Sequence, residues 1–222
     1  MRKVVILGIA AAVLSLSACS VTEGDPLDGE ELVEAAREQY ESYDSARVVI
    51  TNEDTDEVEQ EFVFMYDEKD SLTYLYTGGY EEESYIQYNN GFECFTEQNG
   101  EYTFTQYGDN DFEAYNRDSL HPQASGDYLP YERSAIETVE KTEQDGEVVY
   151  YYTYSPDSFD SDDGVVEFTA VYHFDENDEL LYFEELSVVD TDGEESSHSY
   201  KVEITDINAV EKIDNPLKDR EG

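Results

Sequence analysis

The sequence predicts a mainly β protein of the α+β kind: one N-terminal amphipathic helix, then a large antiparallel sheet of about eleven strands, curled or closed halfway into a barrel. Three observations carry that reading. Apolar residues recur at helical spacing only from Leu32 to Tyr43, and after Ser45 the period falls to about 2 and stays there. Short runs rich in Val, Phe, Tyr and Thr are separated by Asn-Gly, Gly-Gly and Asp-Gly pairs, the chemistry of tight hairpins. Leu, Ile, Val and Phe number only 42 of the 204 residues after position 18, and the 20 Tyr raise this to 62, enough for one modest core in one domain.

Residues 1–18 read as an export signal: Arg2 and Lys3, an apolar run from Val4 to about Leu14, then small residues. The run is too short for a spanning helix and polar chain follows it at once. Leu16-Ser17-Ala18-Cys19 resembles the lipobox of bacterial lipoproteins. The resemblance implies that a diacylglyceryl group is joined to the Cys19 thiol, that cleavage precedes it, and that Cys19 is the lipidated N-terminus. Such an acyl anchor (palmitate among its usual chains) would hold the protein extracytoplasmically on the bacterial cell membrane. Residues 19–28 then form a short tether, reaching about 30 Å at most when stretched.

Asp28 is the N-cap candidate, with Glu31 three residues on, and Leu32, Ala35, Ala36, Tyr40 and Tyr43 give a helix of about four turns ending near Asp44. The strand runs Ala46–Thr51, Val58–Tyr66, Leu72–Thr77, Ser84–Tyr88, Phe92–Thr96 and Glu101–Tyr107 follow, with turns at Thr77-Gly78-Gly79, Asn89-Asn90-Gly91 and Gln98-Asn99-Gly100. Consecutive hairpins mean a meander. Asn110–Tyr131 breaks the pattern and reads as a loop or as a short helix starting at Pro130. Strands return at Ile136–Glu143, Glu147–Ser155, Val165–Phe174, Glu179–Val189 and Ser197–Ile207. In the third of these, Val166, Phe168, Ala170, Tyr172 and Phe174 share one face.

This order of elements, ending in Tyr200–Ile207 with Asn215-Pro216 after it, resembles the LolA/LppX-type lipoprotein superfamily, most of all in the Tyr85–Thr105 hairpins. The resemblance spans residues 29–215 as a single domain, with 216–222 as a tail. It implies a half-open barrel, roofed by helix, whose concave face holds acyl chains or another hydrophobic partner. A chain bearing its own anchor departs from the soluble carriers of that group, so tethered binding, handover or sensing fits better than free shuttling.

Charge excludes several functions. With 56 Asp and Glu against 12 Lys and Arg the net charge is −44, and loss of residues 1–18 makes it −46. Phosphate-contacting nucleic-acid binding and docking on anionic lipid are both opposed by repulsion, and a monomer is expected. Salt or weakly bound divalent cations would relieve that repulsion. Acidic turns such as Asp54-Thr55-Asp56, Asp160–Gly164 and Asp190–Gly193 offer oxygen ligands, but none keeps the spacing of a helix-flanked calcium loop, and no metal site or cofactor is assigned.

Catalytic signals are absent. His121, His173 and His198 lie in separate segments without ligand-like neighbours in sequence, and no nucleophile elbow, zinc motif or phosphate loop occurs. With Cys19 acylated, Cys94 has no intrachain partner and reads as a small buried hydrophobe. The expected protein is therefore not an enzyme. It binds a hydrophobic ligand (lipid, glycolipid or apolar peptide) on its concave face, or, with a filled core, it is a structural or regulatory module that meets partners through acidic loops. Both need the same apolar alternation. Strand position selects Phe62, Phe64, Phe168, Tyr172, Phe174 and Phe183 as pocket-lining candidates.

Overall fold

The computed structural model describes residues 19–20, 27–68, 71–80, 83–106, 133–144, 146–159, 164–191 and 193–218. Among these residues one α-helix, α1 (Glu30–Glu41), stands against a single antiparallel sheet. The strands are β1 (Cys19–Ser20), β2 (Ser45–Asn52), β3 (Glu57–Tyr66), β4 (Leu72–Tyr80), β5 (Glu83–Asn89), β6 (Glu93–Gln98), β7 (Glu101–Gln106), β8 (Ile136–Gln144), β9 (Glu147–Tyr154), β10 (Val165–Phe174), β11 (Leu180–Thr191) and β12 (Glu194–Thr205). Their order is β1-β8-β9-β10-β11-β12-β2-β3-β4-β5-β6-β7. Two meanders, β2 to β7 and β8 to β12, are thus stitched together where β12 pairs with β2, Val202 opposite Ile50. The sheet does not close: β1 and β7 stand at opposite edges.

The expected eleven strands are present, and a twelfth of two residues is added. Cys19 and Ser20 pair with Val139 and Thr138, so the first two residues of the expected tether are attached to the outer edge of β8. The region 107–132, including His121, and the acidic turn at 160–163 lie outside the described residues.

Three local expectations are corrected. Asp28 does not cap the helix. Gly29 is the N-cap at φ 76°, and its carbonyl accepts from Leu32 and Val33 at 3.0 and 3.1 Å. The carboxylate of Glu30 accepts from the backbone N–H of Leu27 at 2.9 Å instead. The helix also ends at Glu41, three residues early, because Ser42 closes the last turn onto Gln39, its Oγ donating to that carbonyl at 2.6 Å. Nor does Thr77-Gly78-Gly79 form a turn. Gly78 pairs with Gln60 on one side and Tyr85 on the other inside β4. A Cβ there would stand 2.7 Å from the Tyr76 hydroxyl, so this glycine makes room for a ring instead of reversing the chain.

Laid flat, twelve strands would span about 50 Å at ~4.8 Å each, whereas a 12-residue helix is about 18 Å long. One helix buries as much of the inner face as it does because the sheet curls round it. Val33, Ala36 and Tyr40 of α1 meet Ala46, Val48, Phe64, Tyr152, Tyr172 and Phe183 in one continuous core. The outer face carries a second, smaller core. After β12 the chain folds back, and Ile213 and Leu217 pack onto Val63, Tyr88 and Phe95. Leu217 is fully buried, so packing runs two residues past the boundary expected at 215.

Candidate functional site

All six aromatic candidates lie on the helix side of the sheet and join one cluster. Phe62 and Phe64 come from β3, Phe168, Tyr172 and Phe174 from β10, and Phe183 from β11. Cross-strand pairing sets Tyr172 opposite Phe183, ring centroids 6.0 Å apart, and alternation along β3 sets Phe62 5.8 Å from Phe64 on the same face. Phe64, Tyr172, Phe174 and Phe183 have no exposed surface, Phe62 is buried, and Phe168 is half-buried against Tyr154 and Phe159. Burial raises the Tyr172 hydroxyl well above its ordinary pKa, and Tyr154 and Tyr152 push in the same direction. Most of the six therefore serve as packing.

An opening does exist, at one end of that core. A slot of about 100 Å³ enters between the second half of α1 and the starts of β11 and the end of β12. Ala36 and Tyr40 form its roof, and Leu180, Phe183, Val202 and Ile204 its floor, so Phe183 is the one of the six candidates on its wall. Leu181 and Ile207 stand at the mouth, each 43 % exposed, with Gln39 and Glu179 as the polar rim. Tyr43 lines the same slot, and burial, then the charge of Glu179, hold its hydroxyl above the ordinary value.

The mouth depends on a local irregularity. His173 pairs with Tyr182 but Phe174 pairs with Leu180, so Leu181 is an extra residue bulged out of β11. A bulge re-aims a side chain. Here it turns a Leu out beside the gap. A larger depression of about 460 Å³ lies over β3 and β4, but Glu57, Glu59, Glu61, Thr77 and Ser84 line it, and such walls are solvated.

On the outer face His173 has neighbours that its sequence surroundings did not reveal. Its Nδ1 is 3.3 Å from Glu147 on β9, and its Nε2 is 3.6 Å from Glu184 on β11, while its ring stacks on Tyr182 at 4.1 Å. Lys201 on β12 lies over the far side of Tyr182, 4.3 Å from its ring centre. Burial opposes protonation of His173, and the two carboxylates outweigh it, leaving the pKa raised above 6.5. Two carboxylates on opposite sides of a ring do not converge on a cation, and no group of three His, Cys, Asp or Glu among the described residues is placed to hold a metal ion. His198 sits apart, its Nε2 3.1 Å from Ser196 Oγ. Cys94 is a buried free thiol, and Gly193 donates to Asp190 at 2.8 Å in an ordinary turn.

No protein-family model matches this chain, and no curated protein does. Among solved structures, the crystal structure of LprF from Mycobacterium bovis is similar at a TM-score of 0.46 and 11 % identity, covering 85 % of this chain and 97 % of that one. A likeness of that size carries no functional argument.

Proposed function

We propose that the protein is an extracytoplasmic bacterial lipoprotein, anchored through acylated Cys19, that takes a small apolar group into the slot beneath α1. The observation that supports this is the slot itself: apolar walls, a narrow opening, and Leu181 and Ile207 exposed at its mouth. A cavity of about 150 Å³ lined by apolar side chains admits one benzene ring. The slot, at about 100 Å³, would take the end of an acyl chain or one apolar peptide side chain, and not a whole lipid. The action proposed is binding without catalysis, by a monomer near its membrane, with divalent cations weakly held at the acidic turns.

A second reading, a partner-binding module with a solid interior, is favoured by one observation: four of the six expected pocket aromatics have no exposed surface. Native mass spectrometry of the full chain, with solvent extraction of the same sample, separates the two. A co-purifying acyl species, or displacement of an acyl-chain fluorophore, that is lost in Leu181→Asp supports the slot. A bare protein that leaves the fluorophore dark sinks that reading in favour of the module.

A further inference from the structure

The inner face changes character beyond the helix. On β4, β5 and β6, Tyr74, Tyr76, Tyr85, Gln87, Asn89 and Thr96 stand on the same face as the core aromatics, because Tyr74 pairs with Asn89, Tyr76 with Gln87, and Gln87 with Thr96. The next strand continues these ranks with Thr103 and Thr105. Roughly one residue in four of this chain is Asp or Glu, 56 of 222, yet none of these eight positions is charged. On a chain this acidic, an uncharged patch across four neighbouring strands sets this part of the face apart, and the carboxylate that follows on it is Glu101, opposite Gln98 at the start of β7.

The groups are already linked. The Tyr74 hydroxyl donates to Gln87 Oε1 at 2.9 Å, and Gln87 Nε2 donates to Thr96 Oγ1 at 3.5 Å. Tyr76 and Tyr85 pack edge to face at 5.6 Å, and Phe62 lies 5.5 Å from Tyr74. Asn89 is 1 % exposed; its Oδ1 accepts from Gly91 at 2.8 Å, while its Nδ2 has no hydrogen-bond partner. A buried amide donor left unsatisfied is costly, and such a group marks a place where polar function is retained at the expense of stability. Exposure rises from Asn89 through half-buried Gln87 and Thr96 to exposed Thr103 and Thr105, so the platform opens toward β7.

We infer that the inner face of β4 to β7 is a binding platform for a neutral carbohydrate. Side-chain amides and hydroxyls both donate and accept, which matches the hydroxyls of a sugar ring, and tyrosine rings offer flat apolar faces to its C–H groups. The charge argues for a neutral sugar: at −44 the protein repels uronates and phosphorylated glycans. The inference goes beyond the slot beneath α1. It needs no apolar ligand, and either can fail while the other stands.

Saturation-transfer NMR on the full chain, in a detergent without a sugar head group, tests it with cellotetraose, maltotetraose and chitotetraose as probes and tri-galacturonate as the charged control. At least one neutral probe is expected to bind in the millimolar range and the uronate not at all. Gln87→Leu is expected to weaken that binding at least tenfold, and Thr103→Val, at an exposed position where folding is not at risk, at least twofold. The absence of transfer to all three neutral probes overturns the inference. So does binding unchanged in both variants, or uronate binding as strong as the neutral sugars.

Discussion

Filling the slot beneath α1 separates an open site from a closed core by the sign of a stability change. Ala36 is 8 % exposed and lies on the roof of the roughly 100 Å³ opening. Ala36→Leu adds three carbons at the slot. If they occupy space that is open in the native protein, burial at about 0.8 kcal/mol per carbon contributes up to about 2.4 kcal/mol. Restricting the new side chain costs about 0.5–1 kcal/mol, and helix propensity changes little between Ala and Leu. The net expectation is stabilisation by about 1–2 kcal/mol, a rise of some 2–8 °C in Tm for a chain of this size. Were the slot already filled, the same substitution would overpack the core and destabilise by about 1–3 kcal/mol. The assay is urea unfolding followed by tyrosine fluorescence, with the acyl-chain fluorophore titrated in parallel. Stabilisation together with lost fluorophore binding is expected. Destabilisation by more than about 1 kcal/mol refutes the open slot, and stabilisation with unchanged binding refutes its role as the ligand site.

Three further outcomes follow from the same structure. Gly29→Ala puts an L side chain at φ 76° with its Cβ 2.6 to 2.7 Å from three carbons of the Tyr150 ring; left-handed strain of about 1–2 kcal/mol and overpacking of about 1–3 kcal/mol together should lower the unfolding free energy by about 2–5 kcal/mol, and a smaller ring partner, Tyr150→Leu, should recover the steric part in a double-mutant cycle. Leu217→Ala empties a fully buried position between the C-terminal segment and the outer face of β3 to β6, and urea unfolding should register a loss of about 2–5 kcal/mol. His173 has a folded pKa raised above 6.5, so its contribution to stability is fully present below the unfolded value near 6.5 and is lost as pH rises through the folded value; melts from pH 5 to 9 should show that decline in the native protein and a flatter profile in His173→Gln.

The sheet was legible because alternation and hairpin turns are local. Asn99, at φ 53°, and Gly100, at φ 82°, adopt the positive angles that an Asn-Gly hairpin requires, and the strands on either side fall where the turn puts them. Alternation also placed all six candidate aromatics on one face correctly. It carries no information about what lies opposite that face, and so could not tell that Phe64 and Phe174 sit under a packed roof while Phe183 borders an opening. Gly78-Gly79 misled for a related reason. Glycine marks a turn from its own conformational freedom, but at Gly78 the cause is the Tyr76 ring beside it. The slot was hidden by the bulge at Leu181, a one-residue register shift set by β10 and β11 together. One signal was present in the sequence: Leu180-Leu181 follows an acidic turn, and both leucines cannot face one core.

The acidity has a structural counterpart in where the few cations stand. Arg47 on β2 reaches to both sides, 2.6 Å from Glu61 in the middle of β3 and 2.9 Å from Asp206 just after β12, and Lys201 is 2.9 Å from Glu203 while covering Tyr182. Arg133 pairs with Glu30 at the start of α1. Each sits where a carboxylate is crowded against the framework: the β12–β2 junction, the outer face of β11, the entry of the helix. Glu147 and Glu184 flank His173, and Lys141 and Lys212 pair with Glu143 and Asp214; carboxylates such as Glu57 and Glu101 stand exposed, and there repulsion is screened over about 8–10 Å at moderate ionic strength. The two meanders are hydrogen-bonded to each other through β12 and β2, so unscreened repulsion has leverage at that joint, and Arg47 is the cation there that bridges carboxylates from both meanders. Adding salt should therefore stabilise the chain. Arg47→Gln should steepen that dependence, because removing the cation leaves Glu61 and Asp206 with no positive charge between them.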